Sequence, residues 1–375
     1  MSKGDISPCE ATRTKDRTTG RTVWRLTSRQ AINHGPYFYN PPATQDGRRI
    51  VFGSDRAGGD AEQLYMVEWP SGSVVQLTGG RDISAHNAVL APRGAEVYYF
   101  AGPELRSVAL QSFKERLLAR LPDGLVLASA PAISSDGQLI IYCCFRRPDV
   151  GGRTGWEAFA PTFEARPRTE IWVAPIDGSG ARLVHAEDRW PGHPQFRPGD
   201  NNTILYCHEG PWSLVERIWA VAADGSAAPR CLRPQKVGEE LIGHEYFTRD
   251  GTVLVYAWCP GRGGGGKVPA HSVRMLDLTA GRERVVFEGR RVNHFTSNAT
   301  NSLIVADTND PADPYLYLID VSEGTAQVLC ECRSSQKPYR STQDAHPHPC
   351  FSWDGRHVYF NSDQDGWPNF YMVVV

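Results

Sequence analysis

The sequence predicts an all-β chain, folded over residues 1–375 as a single seven-bladed β-propeller domain. Three observations carry that expectation. A turn-and-strand phrase recurs seven times. Helical periodicity is scarce, whereas turn formers are plentiful, with 36 Gly and 27 Pro. The last repeat is one strand short, and the first residues supply a strand that has no repeat of its own.

The phrase is a polar turn followed by an alternating apolar strand. It reads Gln45-Asp46-Gly47 before Ile50-Val51-Phe52, Pro92-Arg93-Gly94 before Val97-Tyr98-Tyr99-Phe100, and Ser135-Asp136-Gly137 before Leu139-Ile140-Ile141-Tyr142. It continues with Pro198-Gly199-Asp200 before Ile204-Leu205-Tyr206 and Arg249-Asp250-Gly251 before Val253-Leu254-Val255-Tyr256. A degenerate copy, Ala299-Thr300-Asn301 before Leu303-Ile304-Val305, precedes the last, Trp353-Asp354-Gly355 before Val358-Tyr359-Phe360. Each copy leads to a second apolar strand, such as Ile171-Trp172-Val173-Ala174, then to a turn and a third short strand. With the short strand before each turn, a repeat offers four strands, the content of one propeller blade. One blade cannot bury both of its faces, so blades must stack on one another.

The ends follow from the same count. The chain stops at Val375, so the seventh blade lacks its outermost strand. Thr22-Val23-Trp24-Arg25-Leu26-Thr27 is predicted to complete that blade and close the ring, covering a sheet edge that would otherwise be open. Two stretches exceed the repeat, Arg146–Thr169 and the run Gly261-Arg262-Gly263-Gly264-Gly265-Gly266, and both are expected to be loops on a propeller face. The glycine run lacks the strand-to-helix context and the GK[ST] ending of a phosphate loop.

Composition excludes several classes of function. A net charge of −2 gives no electrostatic footprint for nucleic acid or a charged membrane surface. No run of about 18 apolar residues and no apolar leader core is present, so a cytoplasmic protein is expected. The nine cysteines are scattered, with none in a CxxC pair, which fits buried thiols in a reducing compartment better than a zinc knuckle.

The histidines carry the functional signal. In an extended segment, His346 and His348 of Gln343-Asp344-Ala345-His346-Pro347-His348-Pro349 face the same way, because side chains alternate with period two. In a propeller, the strand before each turn is the innermost. His86, His193, His244, His294 and His348 stand at nearly the same distance before their turns, and His34 holds a similar place in the first repeat. Only the third repeat, with Ser129 and Ala130, lacks one. Convergence near one mouth of the central channel is therefore expected. His294, His346 and His348, with an amide oxygen from Gln343, fit a ligand set suited to Mn, Fe, Co, Ni or Zn alike. The lack of thiolate pairs or clustered carboxylates argues against structural zinc and calcium. Arg217, in Val215-Glu216-Arg217-Ile218-Trp219, could engage a substrate carboxylate or form a surface salt bridge with Glu216 or Glu209.

These segments resemble the oligogalacturonate lyases, pectin-degrading polysaccharide lyases built on a seven-bladed propeller. The resemblance rests on Phe52-Gly53-Ser54-Asp55-Arg56, on His208-Glu209-Gly210-Pro211-Trp212 with Arg217-Ile218-Trp219, and on Gly243-His244-Glu245. Asn293-His294-Phe295 and Gln343 through Pro349, followed by Phe351-Ser352, complete it in the family's order. It implies a divalent cofactor, usually Mn2+, held by His294, Gln343, His346 and His348. It also implies His244 as the proton-abstracting base and Arg217 as an aid at the reacting sugar. His34, His86, His193 and His208 remain candidates for substrate contacts. The family's early His-rich segment is thinned here to Asn33-His34-Gly35-Pro36-Tyr37.

The implied reaction is β-elimination on a uronate oligosaccharide, giving 4,5-unsaturated products. A cation on the sugar carboxylate would stabilise the charge left by removing the C5 proton, Arg217 would stabilise or position the same group, and a histidine base suits neutral pH. Hydrolysis would need two opposed carboxylates, and no convincing pair stands beside the histidine cluster. Two other readings are kept: the same lyase chemistry on another uronate glycan, such as one containing glucuronate, and a non-catalytic propeller scaffold of the periplasmic translocation type. A peptidase propeller lacks its G-x-S-x-G elbow here.

Overall fold

The turn that begins each repeat places a residue in the left-handed form. Gly47, Gly94, Gly137, Gly199, Gly251 and Gly355 all have φ between 67° and 78°, and Asn301 takes the same left-handed form at 57° in the degenerate copy. Asn is the non-glycine residue that tolerates this region best. Four of the turns repeat one network. The hydroxyls of Thr44, Ser134, Thr248 and Ser352 donate to Asp46, Asp136, Asp250 and Asp354. Each aspartate also accepts the N–H two residues on. Such Asx turns reverse the chain where its apolar strand must begin.

The computed structural model describes residues 2–58, 61–261, 270–341 and 343–375, with backbone alone at 270 and 271. The fold is the expected all-β, seven-bladed propeller, with seven antiparallel sheets of four or five strands in chain order. A single α-helix, Phe159–Glu164, occurs among the described residues. It follows a 3-10 turn, Gly155–Ala158, inside the Arg146–Thr169 stretch. The Gly261–Gly266 run lies outside the described residues beyond Gly261.

Two compact units are present: residues 1–102, 106–116 and 292–375, and residues 103–105 and 117–291. In the first unit, successive side chains of one strand serve two neighbouring blades. Ile50 and Phe52 pack with Tyr359, Phe370 and Met372 of the last blade, whereas Val51 packs with Val97 and Tyr99 of the second. This is period-two alternation with both faces buried, so apolar residues occupy both parities of the strand. The sixth and seventh blades meet through Val305, Leu316, Leu318, Val358 and Phe360. Each such fully buried side chain contributes about 1.5–3 kcal/mol.

The N-terminal strand Thr22–Arg25 pairs antiparallel with the C-terminal Asn369–Val374, with Trp24 opposite Met372. Thr12–Lys15 adds a fifth strand outside it, and Ile6–Ser7 likewise adds a strand to the first blade. Thr12–Lys15, polar and exposed along its length, thus forms the outer edge of the last blade.

In the second unit, Ile204 and Tyr206 pack with Ile141, Cys143 and Val173 of the third blade, while Leu205 packs with Ile242, Leu254 and Tyr256 of the fifth. All nine cysteines are free thiols, and seven of them are buried. Burial pushes the Cys144 thiol up to about 12.

Candidate active site

Within the first unit, five histidines from four blades come together. The rings of His294 and His348 have centroids 4.2 Å apart, and His346 lies 5.6 Å from each. His86 is 5.6 Å from His348 and 5.6 Å from His34. Tyr37 and Phe38 pack against the same rings. His86 was expected on an inner strand; it stands instead on a 3-10 turn, Ala85–Asn87, just before that strand.

His294, His346 and His348 are buried, and each offers a ring nitrogen within 4.8 Å of the others. Asp307 organises this set. Its carboxylate accepts the backbone N–H of His294 at 3.0 Å and of His348 at 3.2 Å. The same carboxylate lies 3.0 Å from His294 Nδ1. Such a contact fixes the imidazole with its proton on Nδ1 and leaves Nε2 as a donor atom for a cation. The buried Nδ1 of His346 has no hydrogen-bond partner among the described residues. Burial, and His294 beside it, push the His346 imidazole down to about 4, so it is neutral at pH 7 and able to ligate. An all-nitrogen pocket of three imidazoles, one backed by a carboxylate, fits a first-row divalent cation.

The loop that carries two of these rings is fixed by its backbone. Asp344 accepts the N–H groups of Arg340 and Ser341, and the His346 N–H bonds the Gln343 carbonyl at 3.0 Å. Asn361 donates to the His346 carbonyl. His348 has φ 46°, a strained form for a side-chain-bearing residue outside Gly and Asn. Behind the cluster, His34 is bonded to Glu62, which also accepts from Arg340 and from the Ala85 N–H. Burial alone would lower the His34 pKa, but Glu62 raises it to about 9. Conversely, burial would raise Glu62, and His34 and Arg340 bring it down to about 2. This is a buried ion pair. His86, buried and close to the charged His34, is pushed down to about 3.

The second unit holds a different set. Arg217 is 2% exposed. Its Nε donates to Glu245 at 2.7 Å, and its terminal nitrogens donate to Glu209 at 3.3 and 3.4 Å. The guanidinium lies over Trp212, 5.4 Å from the ring centroid. Arg217 is therefore a buried ion pair, not the surface bridge weighed above. Burial works against the Glu209 carboxylate, but Arg217 and His193 hold it well below the usual range. His193 Nε2 is 2.8 Å from Glu209. His244 meets Trp212 edge-on, centroids 5.1 Å apart.

A local irregularity presents these histidines. The innermost strands of the fourth and fifth blades break register between Gly192 and Gln195 and between Gly243 and Tyr246. His193 and His244 sit in those breaks with φ 50° and 55°. Bulges of this kind re-aim a side chain out of the pleat. Gly243 is required beside one of them, because a Cβ there would stand 2.7 Å from the Trp212 ring. His208 points elsewhere: its Nε2 pairs with Glu187 at 3.0 Å and its ring packs on Trp219.

Sequence reasoning passed over Asp307 and Glu62 and gave Glu245 and Trp212 no role of their own. One signal for the first was periodic. An acid follows directly on the second strand in four blades, Asp55, Glu209, Asp307 and Asp363. Three of them bond a group near an inner strand: Asp55 the Ile32 N–H, Glu209 the His193 ring and Asp307 the His294 N–H, whereas Asp363 holds Ser335 and Tyr339.

Comparison with known proteins agrees with this geometry. The family model described as oligogalacturonate lyase matches residues 1–375. The chain is 28% identical to an oligogalacturonide lyase of Pectobacterium atrosepticum, covering 100% of this chain and 98% of that one. It is 28% identical to an oligogalacturonate lyase of Dickeya dadantii, over 96% and 95% of the two chains. A solved structure described as oligogalacturonate lyase in complex with manganese superposes with a TM-score of 0.91 at 28% identity, covering 100% and 98%. The chain belongs to the oligogalacturonate lyase family, a family of polysaccharide lyases.

Proposed function

We propose that the protein is a divalent-metal-dependent lyase that cleaves short galacturonate oligomers by β-elimination, with Mn2+ as its ion. The observation that carries this reading is the buried triad His294, His346 and His348, set by Asp307, on a chain of this family. Those three residues would hold the ion, with the Gln343 amide as a fourth ligand. When bound, a divalent cation supplies Lewis-acid stabilisation to a uronate carboxylate.

The remaining chemistry belongs to the protein's own side chains. His244 takes the C5 proton. The electron pair forms the C4–C5 double bond, and the O4 substituent leaves and is protonated from water. Arg217 is kept cationic by Glu245 and Glu209 and stacked on Trp212. Held in one orientation, its remaining N–H groups would steady the reacting sugar. Both glutamates are engaged by Arg217, so neither stands as the free acid that hydrolysis would need.

The test is incubation of the purified protein with digalacturonate and Mn2+, followed by ultraviolet absorbance of the unsaturated product. Absorbance that rises with Mn2+ and vanishes with chelator is expected. A flat trace with metal supplied refutes the reading.

A further inference from the structure

The Arg146–Thr169 connection, unused by the chemistry above, builds an aromatic shelf next to the Glu209–Arg217 cluster. Trp156 is 43% exposed and packs on Phe159 at 5.5 Å. Phe159 packs in turn on Trp190 at 5.3 Å, and Trp190 stacks on Phe145 at 6.2 Å. The shelf is fixed to the cluster in two ways. The Glu209 N–H donates to the Trp190 carbonyl at 2.6 Å. The helix that follows Trp156 presses Phe163 onto Gly210, which has φ 146° and no room for a Cβ. The first contact thus ties the shelf to the residue whose carboxylate binds Arg217 and His193.

A supported, rigid, part-exposed indole beside a functional cluster is a platform for a flat apolar face. The C–H face of a pyranose is such a surface. The connection is also basic: it carries Arg146, Arg147, Arg153, Arg166 and Arg168 against Asp149, Glu157 and Glu164. That excess of guanidinium suits the carboxylate carried by every unit of a polyuronate.

We propose that this shelf is a further sugar-binding subsite, in which Trp156 stacks on a galacturonate unit beyond the pair that flanks the cleaved bond, so that the connection sets preference for oligomer length. The inference rests on the lyase reading. It locates a binding contribution that digalacturonate is too short to use and trigalacturonate or tetragalacturonate can use.

Steady-state kinetics on the Mn2+-loaded full chain test it, using digalacturonate, trigalacturonate and tetragalacturonate. For Trp156→Ala, the ratio of kcat/KM on trigalacturonate or tetragalacturonate to that on digalacturonate should fall about tenfold, carried by KM, the size of one lost aromatic contact. Trp156→Phe, which keeps a ring, should restore most of the ratio. A ratio unchanged in Trp156→Ala overturns the subsite while leaving the lyase reading intact. No turnover of any oligomer by the unaltered protein overturns the lyase reading itself.

Discussion

Replacing Asp307 with asparagine should damage cation binding without touching a proposed ligand. Asp307 is fully buried and accepts from three places: the His294 N–H at 3.0 Å, the His348 N–H at 3.2 Å, and His294 Nδ1 at 3.0 Å. An amide keeps one acceptor oxygen and turns the other into a donor. If the oxygen stays on the His294 N–H, the new N–H2 faces His294 Nδ1 and the His348 N–H. The imidazole then moves its proton from Nδ1 to Nε2, the nitrogen that must be bare to ligate. The His348 N–H is left against a donor at a cost of about 1–3 kcal/mol. A lost partner of this kind lowers metal affinity about 10- to 100-fold, or roughly 1.4–2.7 kcal/mol. Isothermal titration of Mn2+ into wild-type and Asp307→Asn protein measures it directly, with a metal-free thermal melt as the check on folding. A folded Asp307→Asn variant that binds Mn2+ as wild type does would show that the carboxylate is structural filler and that the triad does not depend on it.

Other outcomes follow from the same geometry. His244→Ala should abolish turnover and leave Mn2+ content per chain at the wild-type level; retained turnover removes His244 as the base. Gly243→Ala should push the Trp212 ring off Arg217 and His244, since its Cβ would lie 2.7 Å from that ring, costing about 1–3 kcal/mol by denaturant unfolding and most of kcat. An unchanged kcat there would mean that Trp212 does not set the two groups. The His34–Glu62 pair should make stability depend on pH. Glu62, lowered from 4.5 to about 2, contributes above pH 4.5 and is lost as pH falls through 2. His34, raised from 6.5 to about 9, contributes below pH 6.5 and is lost as pH rises through 9. Unfolding free energy should thus fall by about 3 kcal/mol between pH 6.5 and 9.5. His34→Gln should flatten that slope, and an equal slope in the variant refutes the assignment.

Much of the fold is legible in one dimension, because its determinants are local. An Asp-Gly turn needs only a left-handed backbone and a short polar side chain, so each of the repeats can be found, even where Asn301 replaces glycine. Strand alternation and the seven-fold count then require blades, and the strand left over at Thr22–Arg25 has one vacant edge to fill beside Asn369–Val374. The histidines of the first unit are legible for the same reason: the repeat puts them at equivalent places, and His34, His86, His294, His346 and His348 do meet there.

What could not be read is orientation. His193 and His244 are turned by register breaks that neither their residue type nor their spacing announces, beside Gly192 against Glu209 and Gly243 under the Trp212 ring. His208 and Glu209 are consecutive, yet strand parity sends His208 to Glu187 and Trp219 while Glu209 reaches Arg217. The partners that set charge, Glu62 for His34 and Asp307 for His294, lie 28 and 13 residues away and are paired by folding alone. The sequence by itself determined the blade count, the turns and which residue types stand at the inner strands, since these depend on neighbours along the chain. Only the tertiary structure decided which imidazole is charged, which is bare and which way each faces, because protonation and aim depend on groups brought close through space.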